Sequence, residues 1–226
     1  MNAASDHAIP TMKILLLDTE TNGLPKNRYA PPSDYANFPA ILQLSWAIYT
    51  VAGTSLVEEE VRDLGLALDP SIPWNTGAAA VHGISEVEAR HGVPAEEALK
   101  QLAVALRSVD MVIAHNLPFD KDVIQAAGWR ASVQTSLKEL RGIWPPVREL
   151  CTMRATTALV KLPATAKQAQ YPDLGPYKAP RLNELYTWLY GRVYDVSGAV
   201  LHTASSDVHC LAECLRGLVS RKLLAL

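Results

Sequence analysis

The chain has 226 residues, 49% apolar and 19% charged, with a net charge of −2 and a mean hydropathy of +0.04. Those values exclude a disordered chain and a generally basic nucleic-acid coat, and they leave room for a full core in one large domain or two small ones. Charge is unevenly spread, with eleven Lys/Arg against five Asp/Glu in residues 121–192, which points to an anionic partner for that segment or to a solvated helical surface.

The first element is a strand: Met12–Thr19, MKILLLDT, is a short apolar run with no helical period. Residues 25–40 hold four prolines and read as a loop, either a substrate-selecting lid or a plain insertion. Ala40–Val51 alternates and is rich in β-formers, Gly53-Thr54 makes a turn, and Ser55–Leu68 gives a third strand with one wet face. The three form an antiparallel meander. A short helix is expected within Pro70–Ser85, and Ser85 with Glu88 forms a capping box for the next. Pro94–Val109 is a helix with Leu99, Leu102 and Leu106 on one stripe. Asp110–Asn116 is a buried strand. Pro118–Trp129 is a helix that Gly128 ends, and residues 140–160 pass from loop to helix. Residues 162–180 are loop, Arg181–Tyr190 is an amphipathic helix stopped by Gly191, and the last helix follows His202. Strands followed by alternating α and β predict one α/β domain over 1–226, with 1–11 as a flexible extension.

The three cysteines make no disulfide framework, so a reducing, cytoplasmic setting is expected. The N-terminus lacks the pattern of a signal peptide, and no apolar run approaches ~18 residues, so no membrane association is expected. Cys210 and Cys214 read as core, and Trp129, Trp144 and Trp188 as core or loop anchors.

The chemistry is concentrated in carboxylates. Asp18 and Glu20 end the first strand two residues apart, so both point to the same face. Paired acids repel and burial penalises their charge, so a counter-charge, a shared proton or a divalent cation is required. Asp120 opens a helix after a second apolar run. Asp207 sits in the last helix among Val208, Leu211 and Leu215, five residues after His202. Exposed turn acids and helix-dipole acids account for each one singly, but not for all in this order. An aspartic protease would need Gly at Glu20, a dehalogenase-type phosphatase would need Asp there, and no Gly-x-Gly-x-x-Gly follows a strand.

Together LLLDTETNGL, VIAHNLPFDKDVI and HTASSDVHCL resemble the three motifs of the DnaQ-like 3′–5′ exonucleases, in the histidine-bearing DEDDh branch of the ribonuclease H-like superfamily. AAAVHGIS and RLNELYTWLYG match subsidiary segments, and the resemblance runs from Met12 to Leu218. It implies a mixed sheet, an antiparallel meander plus parallel strands, flanked by helices. It implies two divalent cations, Mg²⁺ or Mn²⁺, held by Asp18, Glu20, Asp120 and Asp207. Asp18 would be shared, Glu20 and Asp207 would complete one site, and Asp120 would serve the other. His202 would be the general base. Thr21 and Asn22 would offer backbone amides to the 3′ end, Leu24 would wedge against the last base, His82 would either line the substrate groove or be a satisfied structural histidine, and Asn116 would either orient its loop or touch a phosphate. The partner implied is DNA or RNA with a free 3′ end, in proofreading, repair or trimming, with a polymerase as a further partner. The competing expectation is a catalytically inactive nucleic-acid-binding module on the same fold.

Overall fold

The computed structural model describes residues 11–171, 175–195 and 203–226. Its main sheet has five strands: β1 (Thr11–Thr21), β2 (Ile41–Ala52), β3 (Ser55–Gly65), β4 (Met111–Ala114) and β5 (Arg148–Cys151), in the order β3-β2-β1-β4-β5. β1 to β3 form the expected antiparallel meander, β4 is parallel to β1, and β5 is parallel to β4. Seven helices are described: α1 (Thr76–His82), α2 (Glu86–Arg90), α3 (Ala95–Arg107), α4 (Leu117–Gln134), α5 (Thr152–Val160), α6 (Leu182–Tyr190) and α7 (Ala204–Ser220). The mixed sheet flanked by helices is the ribonuclease H-like class. Among the described residues no helix is long and apolar enough to cross a membrane.

β1 is covered on both faces, and that is why its sequence is an unbroken apolar run. Leu15 and Leu17 belong to a core with Leu99 and Leu102 of α3 and Val123 and Ile124 of α4. Ile14 and Leu16 belong to another with Val208, Leu211 and Leu215 of α7. Burying each such side chain contributes about 1.5–3 kcal/mol. Four in succession therefore fix the strand between the two layers. Continued past Leu17, the same alternation sends Asp18 and Glu20 toward α7 and Thr19 toward α4.

Three expectations are corrected. α4 does not stop at Gly128 but runs to Gln134. A Cβ at Gly128 would lie 2.3 Å from the Leu140 carbonyl oxygen, so this glycine lets the 138–142 turn approach the helix. The 140–160 segment contains β5, whose four residues are half-buried or exposed and carry little apolar signal. The 162–180 loop includes a two-stranded ribbon, β6 (Leu162–Pro163) with β7 (Tyr177–Lys178).

Cys210 and Cys214 are buried in the core as expected, whereas Trp188 is 40% exposed on α6. The 25–40 loop is folded back on itself: Asn27 N–H donates to Asn37 Oδ1 (2.7 Å) and Asn37 Nδ2 returns a bond to Asn27 O (2.8 Å). Part of the basic segment serves structure, with Lys121 paired to Glu149 and Lys178 to Glu184, both at 2.6 Å.

Candidate active site

β1 carries Asp18 and Glu20 out of the core toward the first turn of α7. That turn is tightly specified. Thr203 and Ser206 form a reciprocal cap, each hydroxyl accepting from the other's amide at 3.1 Å. The Ala204 amide donates to Gln43 Oε1 on β2 (3.1 Å), which ties the helix start to the sheet. The result is that one carboxylate oxygen from each of Asp18, Glu20 and Asp207 lies within 4.8 Å of the other two.

Asp120 arrives from the other layer. It is 3% exposed in the first turn of α4, and its Oδ1 accepts from the Thr19 hydroxyl (2.8 Å) and the Thr19 amide (3.1 Å). Asn116, in the left-handed region at φ 81°, turns the chain from β4 into α4 and so aims that helix at β1.

The electrostatics are those of crowded anions. Burial, then Asp120, Asp207 and Glu20, hold the Asp18 carboxyl well above the usual carboxylate range. Burial, then Asp207 and Asp120, push Glu20 up to about 8. Burial pushes Asp120 up to about 7, against the Thr19 hydrogen bonds that favour its charge. Among the described residues no lysine or arginine contributes to any of the three shifts. Clustered carboxylate oxygens fit a hard divalent cation of the Mg²⁺ or Mn²⁺ kind.

Two cavities border the cluster. One, of about 590 Å³, is lined by Glu20, Leu24, Ala78, Val81, His82 and Phe119. The other, of about 410 Å³, is lined by Asp18, Asp207, His115, Arg181 and Tyr194. Of the expected substrate contacts, Leu24 is 79% exposed at the lip of the first cavity. His82 is 2% exposed in its wall, its Nδ1 accepting from the Ile84 amide at 3.1 Å. Thr21 donates its hydroxyl to Gly23 O (2.7 Å). The Asn22 amide, expected to be free for substrate, instead donates to Ala40 O (2.9 Å), because the chain stays paired to the incoming end of β2. His202 lies outside the described residues.

Sequence reasoning passed over Thr19 and His115. Thr19 was findable from strand parity, since it must face the layer opposite its acidic neighbours. His115 bridges Thr152 Oγ1 (3.0 Å) and Pro180 O (2.9 Å), so it straps the segment before α6 to the end of β4. Burial lowers its pKa, and neutral imidazole with a proton on Nε2 suits that bridge.

No protein-family profile matches the sequence, and no curated protein sequence matches it. Solved structures do match by fold. E. coli exonuclease I in complex with a dA16 oligonucleotide superposes with a TM-score of 0.60 at 15% identity, covering 92% of this chain and 41% of that one. The zinc-ion-bound E. coli exonuclease I–ssDNA complex gives 0.63 at 13%, covering 94% and 41%. Exonuclease I from Methylocaldum szegediense gives 0.60 at 17%, also covering 94% and 41%. This chain thus spans less than half the length of those proteins. At such identities the likeness establishes architecture: the chain carries the ribonuclease H-like α/β fold.

Proposed function

We propose that the protein is a metal-dependent 3′–5′ exonuclease that hydrolyses the terminal phosphodiester of a nucleic-acid strand and releases nucleoside 5′-monophosphates. The observation that carries this reading is the convergence of Asp18, Glu20 and Asp207 within 4.8 Å, with Asp120 held behind them by Thr19. These four would hold two divalent cations, Mg²⁺ or Mn²⁺. When bound, the cations supply the positive charge that stabilises the attacking and leaving oxygens of an in-line displacement.

The chain supplies the rest. Leu24, Val81 and Phe119 give an apolar wall for the terminal nucleobase, a contact that tolerates any sequence. Glu20 lines the same cavity, so a nucleotide seated against that wall would bring its sugar beside the acid cluster. His202 accepts the proton of the attacking water, a task suited to a group that titrates near neutrality. The exonuclease I structures bound to single-stranded oligonucleotides support a nucleic-acid substrate.

The test is a 5′-labelled oligonucleotide, DNA or RNA, incubated with Mg²⁺ or with EDTA. Stepwise shortening from the 3′ end is expected with Mg²⁺ only, and none with Asp18→Asn. Binding without shortening in Mg²⁺ favours the inactive module instead. His202→Ala should cut turnover by roughly 10²–10⁴-fold; an unchanged rate removes it from the proton-accepting role.

A further inference from the structure

The acids of β1 have polar neighbours on β2 and β3. In register, Asp18 stands opposite Ser45 and Glu20 opposite Gln43, and Ser45 in turn stands opposite Asp63. Directly opposed residues share a face of the sheet, here the face that α7 covers. The side chains from β2 and β3 converge on one atom: Asp63 Oδ1 accepts from Gln43 Nε2 (2.8 Å) and from the Ser45 hydroxyl. The other end of the Gln43 amide, Oε1, accepts from the Ala204 amide at 3.1 Å. A chain of hydrogen bonds thus runs from β3 through β2 to the start of α7.

Asp63 decides which way the Gln43 amide faces. With Nε2 donating to Asp63, Oε1 is turned to Ala204. In the reversed orientation Nε2 would meet the Ala204 N–H, donor against donor, and Oε1 would meet the Asp63 carboxylate, acceptor against acceptor. Without Asp63, Nε2 gains a competing acceptor in Glu20, its directly opposed neighbour, with Cβ atoms about 4.5–5.5 Å apart. The first turn of α7 depends on that choice. Val208, Leu211 and Leu215 pack the helix onto the sheet from its second turn onward. Ala204, Ser205 and Ser206 have short side chains, and the Thr203–Ser206 cap lies within the turn itself. The bond from Ala204 to Gln43 crosses from turn to sheet at the level of Glu20, three residues before Asp207.

We propose that Gln43, oriented by Asp63, is a positioning residue that holds the first turn of α7 over Glu20 and so sets the affinity of Asp18, Glu20 and Asp207 for their cation. Neither residue belongs to the carboxylate cluster. Gln43 acts through the backbone of Ala204, and Asp63 acts through Gln43. The inference rests on the metal-dependent reading above and names two residues outside the ligand set that govern it.

The test is Mn²⁺ binding to the full chain, read without substrate from the paramagnetic resonance signal of the free ion. Gln43→Met keeps the length of the side chain and removes both amide groups. It should weaken Mn²⁺ binding about tenfold, the lower end of what outer residues contribute to metal affinity. Asp63→Ala should weaken it about threefold, the size expected for one exposed hydrogen bond. Asp63→Asn, which keeps an acceptor for Gln43, should bind as the wild type does. Asp63→Ala added to Gln43→Met should cost nothing more, because the residue through which it acts is already gone. Turnover of Gln43→Met should return toward the wild-type value at saturating Mn²⁺, since Asp207 itself is intact. Unchanged Mn²⁺ affinity in Gln43→Met, equal losses in Asp63→Asn and Asp63→Ala, or additive losses in the double variant overturns the proposal and leaves the exonuclease reading standing. Should Gln43→Met melt below the assay temperature in EDTA, the comparison of Asp63→Ala with Asp63→Asn decides, and equal affinities in those two overturn it. A wild type that binds no Mn²⁺ overturns both readings.

Discussion

Thr19 gives Asp120 two hydrogen bonds, and of the influences that lower the Asp120 pKa its hydroxyl is the largest. Thr19→Val keeps the shape and the amide bond but removes that donor. With its pKa then above about 7, Asp120 is more often protonated at neutral pH and, under the proposed function, would be a poorer cation ligand. Turnover at pH 7 should fall about tenfold, the worth of one hydrogen bond to a charged group. It should recover as pH rises toward 9, and Thr19→Ser should restore the original profile. A pH–rate curve unchanged in Thr19→Val would contradict this role. Asp18, Glu20 and Asp207 were legible in the sequence because strand and helix spacing expose acids that an apolar pattern cannot explain. Thr19 was not, because its significance lies in a partner 101 residues away.

Elements were legible where both faces of a segment are specified. β1, covered by α3 and α4 on one side and α7 on the other, could only read as a buried strand. β5 could not, since its four residues are at best half-buried. Gly128 misled for a different reason. Glycine usually marks a helix end, but here it sits inside α4 to admit the Leu140 carbonyl, and that neighbour is invisible in a linear pattern. Gly128→Ala should therefore destabilise the protein by about 1–3 kcal/mol through overpacking. A chain of this size loses roughly 2–4 °C of melting temperature per kcal/mol. A melting temperature equal to wild type would show that the turn yields freely. The His115 strap could not be foreseen, since its two partners lie 37 and 65 residues further along the chain.

For the molecule as a whole, the crowded acids couple stability to pH and to metal. Glu20 moves from 4.5 to about 8 on folding, and Asp18 shifts the same way. The folded state then holds protons that the unfolded state releases. Its contribution is fully present below the unfolded pKa and is lost as pH rises through the folded value. Metal-free protein should thus lose melting temperature between pH 4.5 and about 8. Glu20→Gln should flatten part of that slope. Mg²⁺ at 100 times its dissociation constant should return about 2.7 kcal/mol, or roughly 5–10 °C. Calorimetry in EDTA and in Mg²⁺ measures both effects; a melting temperature indifferent to Mg²⁺ at pH 8 would contradict the pairing of acids with cations. One consequence of the two-layered cover of β1 reaches past chemistry into heredity. An insertion or deletion of one residue between Met12 and Leu17 would exchange the directions of Asp18 and Thr19, sending the acid to α4 and the alcohol to α7. Related chains can therefore vary freely in which aliphatic residues fill this stretch, while their lengths along it should differ only by even numbers.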